Sequence, residues 1–286
     1  MNSSPEILNF VNFWCRYSLI TVVGIFMFIN TASPSKIKTY DTCKLKYKFR
    51  YVDRLYDNFN EESDTSHLHF GTYVHKIFED GWQAESLEEL TELAKNIRTE
   101  FDFKSPKEKQ IPLILSNFFE WNSQLENTVS AEWKFHIEIA DGMSLNGIID
   151  RIVKGKTGKY LIIDYKTSKR AVSKRDLYND EQMLTYVVAV HKEYNVPIKD
   201  ITVAHYYPHL DKTVNISYLP IHISNFIRKI KDKFWEIRKK KVEDFYPCRG
   251  PLCNWCDYKG LCPLFGGTDK MLKEAKEARG DSRNRK

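Results

Sequence analysis

From Ser130 to Tyr165 two turn signals cut the chain into three short segments. The stretch "SAEWKFHIEI" (residues 130–139) alternates between apolar and polar positions. Asp141-Gly142 ends it, Ser144–Val153 follows, and a Gly-Lys turn leads into Tyr160–Tyr165. Segments this short, with so little chain between them, pair as antiparallel neighbours, so the pattern predicts a three-stranded meander. On either side the apolar residues recur near every 3.6 positions. That period predicts helices over 35–51 (Ile37, Tyr40, Leu45, Phe49), 69–84, 87–100 and 111–125 before the meander. After it, helices are expected over 176–194 and 222–241, with strands over 201–207 and 214–221. The order gives an α/β class: a mixed sheet flanked by helices, with a helical lobe ahead of it.

A chain of 286 residues is one large domain or a core with a satellite lobe. Apolar residues make up 42% and aromatics 14%, which excludes a disordered chain and allows a sizeable core. The net charge of +6 suits an anionic partner. Basic residues concentrate at 36–54, 166–175 and 228–241. The apolar run from Tyr17 to Ile29 is shorter than the roughly 20 residues of a membrane span. It has the length of a signal-peptide core, but only Arg16 supplies positive charge before it. Export, a start-site extension ahead of Met27 and a buried helix all stay open, and a membrane association is not favoured. The segment from Lys270 to Lys286 reads as a fraying helix followed by disorder.

Two of the predicted strands each carry an aspartate, Asp150 and Asp164, and Lys166 follows two residues after the second. Neighbouring strands lie about 4.8 Å apart, so the two carboxylates can converge on one cation. A period of two puts Lys166 on the face of Asp164. Hard divalent ions such as Mg²⁺ take one or two carboxylates plus water and phosphate, and they make bound water a nucleophile. An ammonium beside them can hold that water and offset charge on a phosphate. The bland alternative is a surface pair of carboxylates bridged to Lys166 or Arg151. The nearby "GKTGK" is no phosphate loop: Asp150 stands where the first glycine belongs, and the stretch joins two strands.

The chain has six cysteines: Cys15, Cys43, Cys248, Cys253, Cys256 and Cys262. "CNWCDYKGLC" spaces three of them as C-x₂-C-x₅-C, a pattern suited to metal ligation and poor for disulfides. Three thiols are one short of a tetrahedral set. A completed set of four suits zinc or iron–sulfur equally by ligand count.

Taken in order, "GTYVHKIFE", "GIIDRIV", "YLIIDYKTSK" and "EQMLTYVVA" resemble the PD-(D/E)xK nuclease superfamily, and within it the RecB-type exonuclease branch. The resemblance runs from about Ser35 to Leu264. It implies a restriction-endonuclease-like sheet with catalytic Asp150, Asp164 and Lys166. It implies a metal shell of His75, Asp150, Asp164 and the Tyr165 carbonyl, with Mg²⁺ or Mn²⁺ as the ion. Gln182 and Tyr186, one helical turn apart, would support the site and contact DNA. Glu79 and Glu132 are read as further support. The resemblance also makes Cys43 the fourth ligand beside Cys253, Cys256 and Cys262, and favours a [4Fe–4S] cluster over zinc. Cys248 is then a spare and Cys15 structural or incidental.

The expected function is a metal-dependent DNA exonuclease, cytoplasmic, acting on single strands or DNA ends in recombination, replication or repair, with protein partners there. The alternatives are a catalytically weak nuclease-fold DNA-binding subunit of a larger complex, and a zinc-stabilised structural protein. Basic residues interleaved with aromatics at Lys44–Arg54 suit phosphate contact and base stacking. Lys169, Arg170, Lys174 and Arg175 are placed to line a strand's path. The implied organisation is an N-terminal segment 1–30, a helical lobe 31–128 with Cys43 and the His75 helix, a nuclease core 129–245, a cysteine cluster region 246–266 and a charged tail 267–286.

Overall fold

The computed structural model describes residues 31–55, 59, 66–101, 104–125 and 127–283. The apolar run 17–29 and Cys15 lie outside the described residues. By contact the chain divides into two units: Asp64–Ile139 with Ser144–Lys229, and Met1–Ser63 with Ala140–Met143 and Ile230–Lys286. Cys43 and the His75 helix, expected in one lobe, therefore fall in different units.

The first of these units is built on five strands of a six-stranded mixed sheet: β1 (Asn127–Ala140), β2 (Met143–Lys154), β3 (Tyr160–Tyr165), β4 (Ile201–Tyr207) and β5 (Lys212–Ser217). Their spatial order follows the chain. β2 and β3 are antiparallel, β3 and β4 parallel, and β4 and β5 antiparallel. The expected meander is therefore present, and the parallel step needs a crossover, which two helices supply. The sequence pattern reads these as one helix over 176–194. They are Lys174–Tyr178 and Glu181–Tyr194, because Asp180 takes an extended conformation and caps the second through Gln182 N–H.

Helices Ser66–Gly81, Leu87–Arg98 and Ile111–Ser123 pack on one face of this sheet. Their buried residues include Val74, Ile77, Phe78, Leu90, Ile114 and Phe118, which meet Val153, Ile163, Tyr165 and Tyr206. The Phe78 and Phe118 rings stack 4.0 Å apart at 12°. Burying each such side chain is worth about 1.5–3 kcal/mol. On the other face of β3, Gln182 of the Glu181–Tyr194 helix reaches Asp164.

The second unit gathers the cysteines. The helix expected over 35–51 is broken at Cys43, whose extended backbone ends Pro34–Thr42 and caps Lys44–Tyr47. A π-helical turn, Lys48–Val52, follows. Leu45, Phe49, Leu55, Tyr258 and Leu261 form a small core against which Cys43, Cys256, Cys262, Leu272 and Ala275 pack. Independent backbone bonds fasten the same region: Phe59 N–H to the Asp257 carbonyl (2.6 Å) and Gly260 N–H to the Phe59 carbonyl (3.0 Å). The segment read as a fraying helix followed by disorder is helical from Asp269 to Arg283, where Leu272 and Ala275 join that core and Lys276 pairs with Asp53 at 3.0 Å. Among the described residues, no helix is long and apolar enough to cross a membrane.

The basic, aromatic stretch at 44–54 differs from its expected role. Tyr47 and Phe49 are buried, and Lys48 is buried on Asp53 at 2.6 Å. Lys46 and Arg50 both face Asp257, at 3.7 and 3.6 Å, and Lys44 donates to the Tyr246 hydroxyl. The rings that were expected to stack on bases build the core instead.

Candidate active site

The β2–β3 register sets Arg151 opposite Ile163, so Asp150 comes opposite Asp164 one rung further. Asp150 is fixed by a hydrogen bond from the Tyr165 N–H to its Oδ2, 2.7 Å. Asp164 is 3% exposed. Its Oδ1 accepts from Gln182 Nε2 at 3.2 Å, and Gln182 also bonds the Tyr186 hydroxyl. Its Oδ2 lies 2.6 Å from Lys166 Nζ, an ionic contact that lacks good hydrogen-bond direction. Lys166 thus lies on the side of Asp164, as the two-residue spacing predicts.

His75 comes from the Ser66–Gly81 helix, with Nδ1 3.5 Å from Asp150 Oδ2. The ligand atoms of His75, Asp150 and Glu132 all lie within 4.8 Å of one another. Glu132 reaches this position through a left-handed residue inside β1, with φ +46°. That conformation is strained for a residue with a Cβ and re-aims a strand side chain, as bulges do.

The electrostatics are those of a crowded acidic site. Burial pushes the Asp164 carboxyl up, against the opposing pull of Lys166, and the Asp150 charge adds to the rise. Burial pulls Lys166 down, but Asp164, Asp180 and Asp150 outweigh it and the net shift is upward. Burial also lowers His75, while its hydrogen bond to Asp150 and the carboxylates around it raise it overall. Glu132 is raised by burial and by Asp150. Such a group of carboxylates is costly without a cation.

The structure therefore brings His75, Asp150, Asp164, Lys166, Tyr165, Gln182 and Tyr186 into one neighbourhood. It changes two emphases. Glu132, read only as support, belongs to the tightest donor set, whereas Asp164 is engaged by Lys166 and Gln182. Glu79 pairs with Lys76 at 3.3 Å. Three further residues surround the site, of which the sequence named only Arg151, as a possible partner of the carboxylates. Arg151 is buried, donates to Thr128 and Asn122, and faces the Tyr165 hydroxyl. Asp180 faces the buried His205 at 3.6 Å, and burial together with Lys166 lowers His205 to about 4. The imidazole of His205 within the largely apolar strand Ile201–Tyr207 was the available signal.

In the other unit the thiols lie among amide donors. Cys43 Sγ accepts from the N–H groups of Lys46 and Cys248, each at 3.5 Å, and Cys253 Sγ from Gly250 N–H at 3.3 Å. Burial pushes the Cys256 and Cys262 thiols up, and the Cys43 charge adds to both. All five described cysteines are free thiols.

The family model described as PD-(D/E)XK nuclease superfamily matches residues 31–263. The chain belongs to the PD-(D/E)XK nuclease superfamily. Asp164-Tyr165-Lys166 has the form of the (D/E)XK triplet in that description. Nucleases of this superfamily usually use Mg²⁺ or Mn²⁺, and the donors around Asp150 are a candidate site for such an ion. The chain is 29% identical over 201 residues to a subunit of the ATP-dependent helicase/deoxyribonuclease of Streptococcus agalactiae serotype Ia, a match covering 63% of this chain and 18% of the other. The protein of the same name from Streptococcus uberis is 26% identical over 174 residues, covering 55% and 16%. The chain thus spans less than a fifth of the length of these curated relatives. A crystallised Eubacterium rectale protein provisionally named an exonuclease superposes with a TM-score of 0.49 at 15% identity, covering 90% of this chain and 93% of that one.

Proposed function

We propose that this PD-(D/E)XK nuclease is a metal-dependent deoxyribonuclease that hydrolyses phosphodiester bonds from the ends of DNA, with single strands as its preferred substrate. The observation that carries the reading is the pairing of a three-donor set, His75, Glu132 and Asp150, with an Asp164 carboxylate held between Lys166 and Gln182. Two carboxylates and an imidazole fit a divalent ion of the Mg²⁺ or Mn²⁺ kind, and the imidazole suits Mn²⁺ better. Asp164 Oδ2, buried and without a well-directed hydrogen bond, is a further oxygen able to turn to a cation.

When bound, the ion would lower the pKa of an attacking water and polarise the scissile phosphoryl oxygen. His75, Glu132, Asp150, Asp164 and the Tyr165 carbonyl are the residues proposed to hold it. The Tyr165 N–H fixes the rotamer of Asp150. Gln182 and Tyr186 fix Asp164. Lys166, protonated beside Asp164, orients the attacking water and compensates charge growing on the phosphate. Digestion of end-labelled linear and circular DNA, single- and double-stranded, with each metal tests the reading. Cleavage of linear single strands with Mg²⁺ or Mn²⁺ is expected, with loss in Asp150→Asn. Equal cleavage by that variant would overturn it.

The cysteines are proposed to hold a [4Fe–4S] cluster through Cys43, Cys253, Cys256 and Cys262. Amide donors aimed at two of the sulfurs suit thiolate ligands. Ligating thiols of this kind suit the reducing cytoplasm. Iron and zinc analysis of anaerobically purified protein decides between the metals.

A second reading is favoured by one observation. The curated relatives are more than five times the length of the matched segment and are named as subunits. On that reading the chain works beside separate proteins that supply the DNA-unwinding motor, in recombination, replication or repair.

A further inference from the structure

The loop that follows Lys166 carries four cations in seven residues: Lys169, Arg170, Lys174 and Arg175. All four side chains are exposed, and none has an anionic partner among the described residues. The contrast with the basic stretch at 44–54 is direct, since Lys46, Lys48 and Arg50 there face Asp257 or Asp53. A solvated face is the ordinary fate of exposed charges, but here the backbone beneath them is held unusually firmly. Lys166 N–H donates to the Tyr206 carbonyl at 2.9 Å, extending the β3–β4 pairing past the strand end. Val172 N–H donates to the hydroxyl of buried Tyr207 at 3.1 Å. Ser173 and Asp176 then close a capping box, so the nearest acid is already occupied.

The loop is therefore a fixed support with free positive ends, beginning at the lysine of the candidate active site. Three residues of extended chain span at most about 10 Å. Lys169 thus stays within that distance of Lys166, with Arg170 one residue further. We propose that residues 167–175 form a rail for the sugar-phosphate backbone, in which Lys169, Arg170, Lys174 and Arg175 contact successive phosphates on one side of the cleaved bond, without reading bases. This rests on the nuclease reading and adds to it where the strand runs. Contacts to phosphate position a strand and carry no sequence information.

Each phosphate contact on a single strand lowers the slope of log affinity against log salt by about 0.7, so four contacts account for about 2.8. The test is binding of a single-stranded oligodeoxythymidylate in EDTA across a salt series. Its length is set at about 20 nucleotides, longer than the roughly 4–16 that single-strand grooves cover. The fourfold variant Lys169→Gln, Arg170→Gln, Lys174→Gln, Arg175→Gln is compared with a control that neutralises four exposed lysines elsewhere, Lys95, Lys212, Lys270 and Lys273. The rail predicts a slope shallower by roughly 2–3 in the loop variant and nearly unchanged in the control. Should the fourfold variant fail to fold, the pairs Lys169/Arg170 and Lys174/Arg175 each carry about half the change. An unchanged slope, or the same change in both variants, overturns the rail and leaves the nuclease reading standing. Wild-type protein that neither binds nor cleaves the strand overturns both.

Discussion

Glu132 shows function being held against local preference. A non-glycine residue at φ +46° costs on the order of 1–2 kcal/mol, and the return is a carboxylate within ion range of His75 and Asp150. Glu132→Gly should therefore stabilise the fold by up to about 1 kcal/mol in urea titration, while the Mn²⁺ concentration needed for half-maximal cleavage rises at least tenfold. A stability gain without any change in metal demand would remove Glu132 from the site. Lys166 is argued separately, because it touches Asp164 but not the three-donor set. Lys166→Ala should slow cleavage by roughly 10²–10⁴-fold, the usual worth of a positioned proton-handling group. The affinity for a single-stranded oligonucleotide in EDTA should change little. Loss of both would mean the lysine is a binding residue.

At the scale of elements, two buried strands were legible, while the strand expected over 214–221 is Lys212–Ser217 because a helix begins at Pro220. Tyr160–Tyr165 and Ile201–Tyr207 end where the sequence pattern ends them, because both strands are buried and bounded by turn residues. The breaks at Cys43 and at Asn179-Asp180 were not legible. Each depends on one side chain capping the next helix, and apolar periodicity does not record that. The motif residues of the site were legible because strand pairing brings Asp150 and Asp164 together whatever surrounds them. The rank of Glu132 was not, since it depends on a backbone angle. Nor was the burial of Tyr47 and Phe49, since a basic helix with aromatics reads alike whether its rings face in or out. The helix layer can be tested at Phe118, fully buried and stacked on Phe78. Phe118→Ala should cost about 3–5 kcal/mol by urea unfolding. In the cysteine unit, a Cβ on Gly267 would stand 2.2 Å from the Leu261 carbonyl carbon. Gly267→Ala should displace Cys262 and leave the protein deficient in bound iron. Full iron content in that variant would count against Cys262 as a ligand.

For the whole molecule, the division into two units separates two kinds of chemistry. Every residue proposed for hydrolysis lies within Asp64–Ile139 and Ser144–Lys229, and every proposed cluster ligand lies within the other unit. Immediately around the cysteines lies a small core, five buried residues with partly buried neighbours, beside other buried residues of that unit such as Tyr40, Tyr47 and Phe245. Small cores of this kind commonly rely on metal for their stability, and bound metal contributes directly to folding. A cross-link between Cys43 and Cys262 also closes a very long loop, and loop-closure entropy grows with length. Cys43→Ser should therefore lower the melting temperature and abolish the visible colour of anaerobically purified protein. Residues 245–265 should become sensitive to limited proteolysis before the sheet does. The molecules that stay folded should still hydrolyse single-stranded DNA, because none of the donors around Asp150 comes from the affected unit. Loss of hydrolysis with an intact melting transition would give the cysteines a part in the reaction itself and overturn the purely structural role.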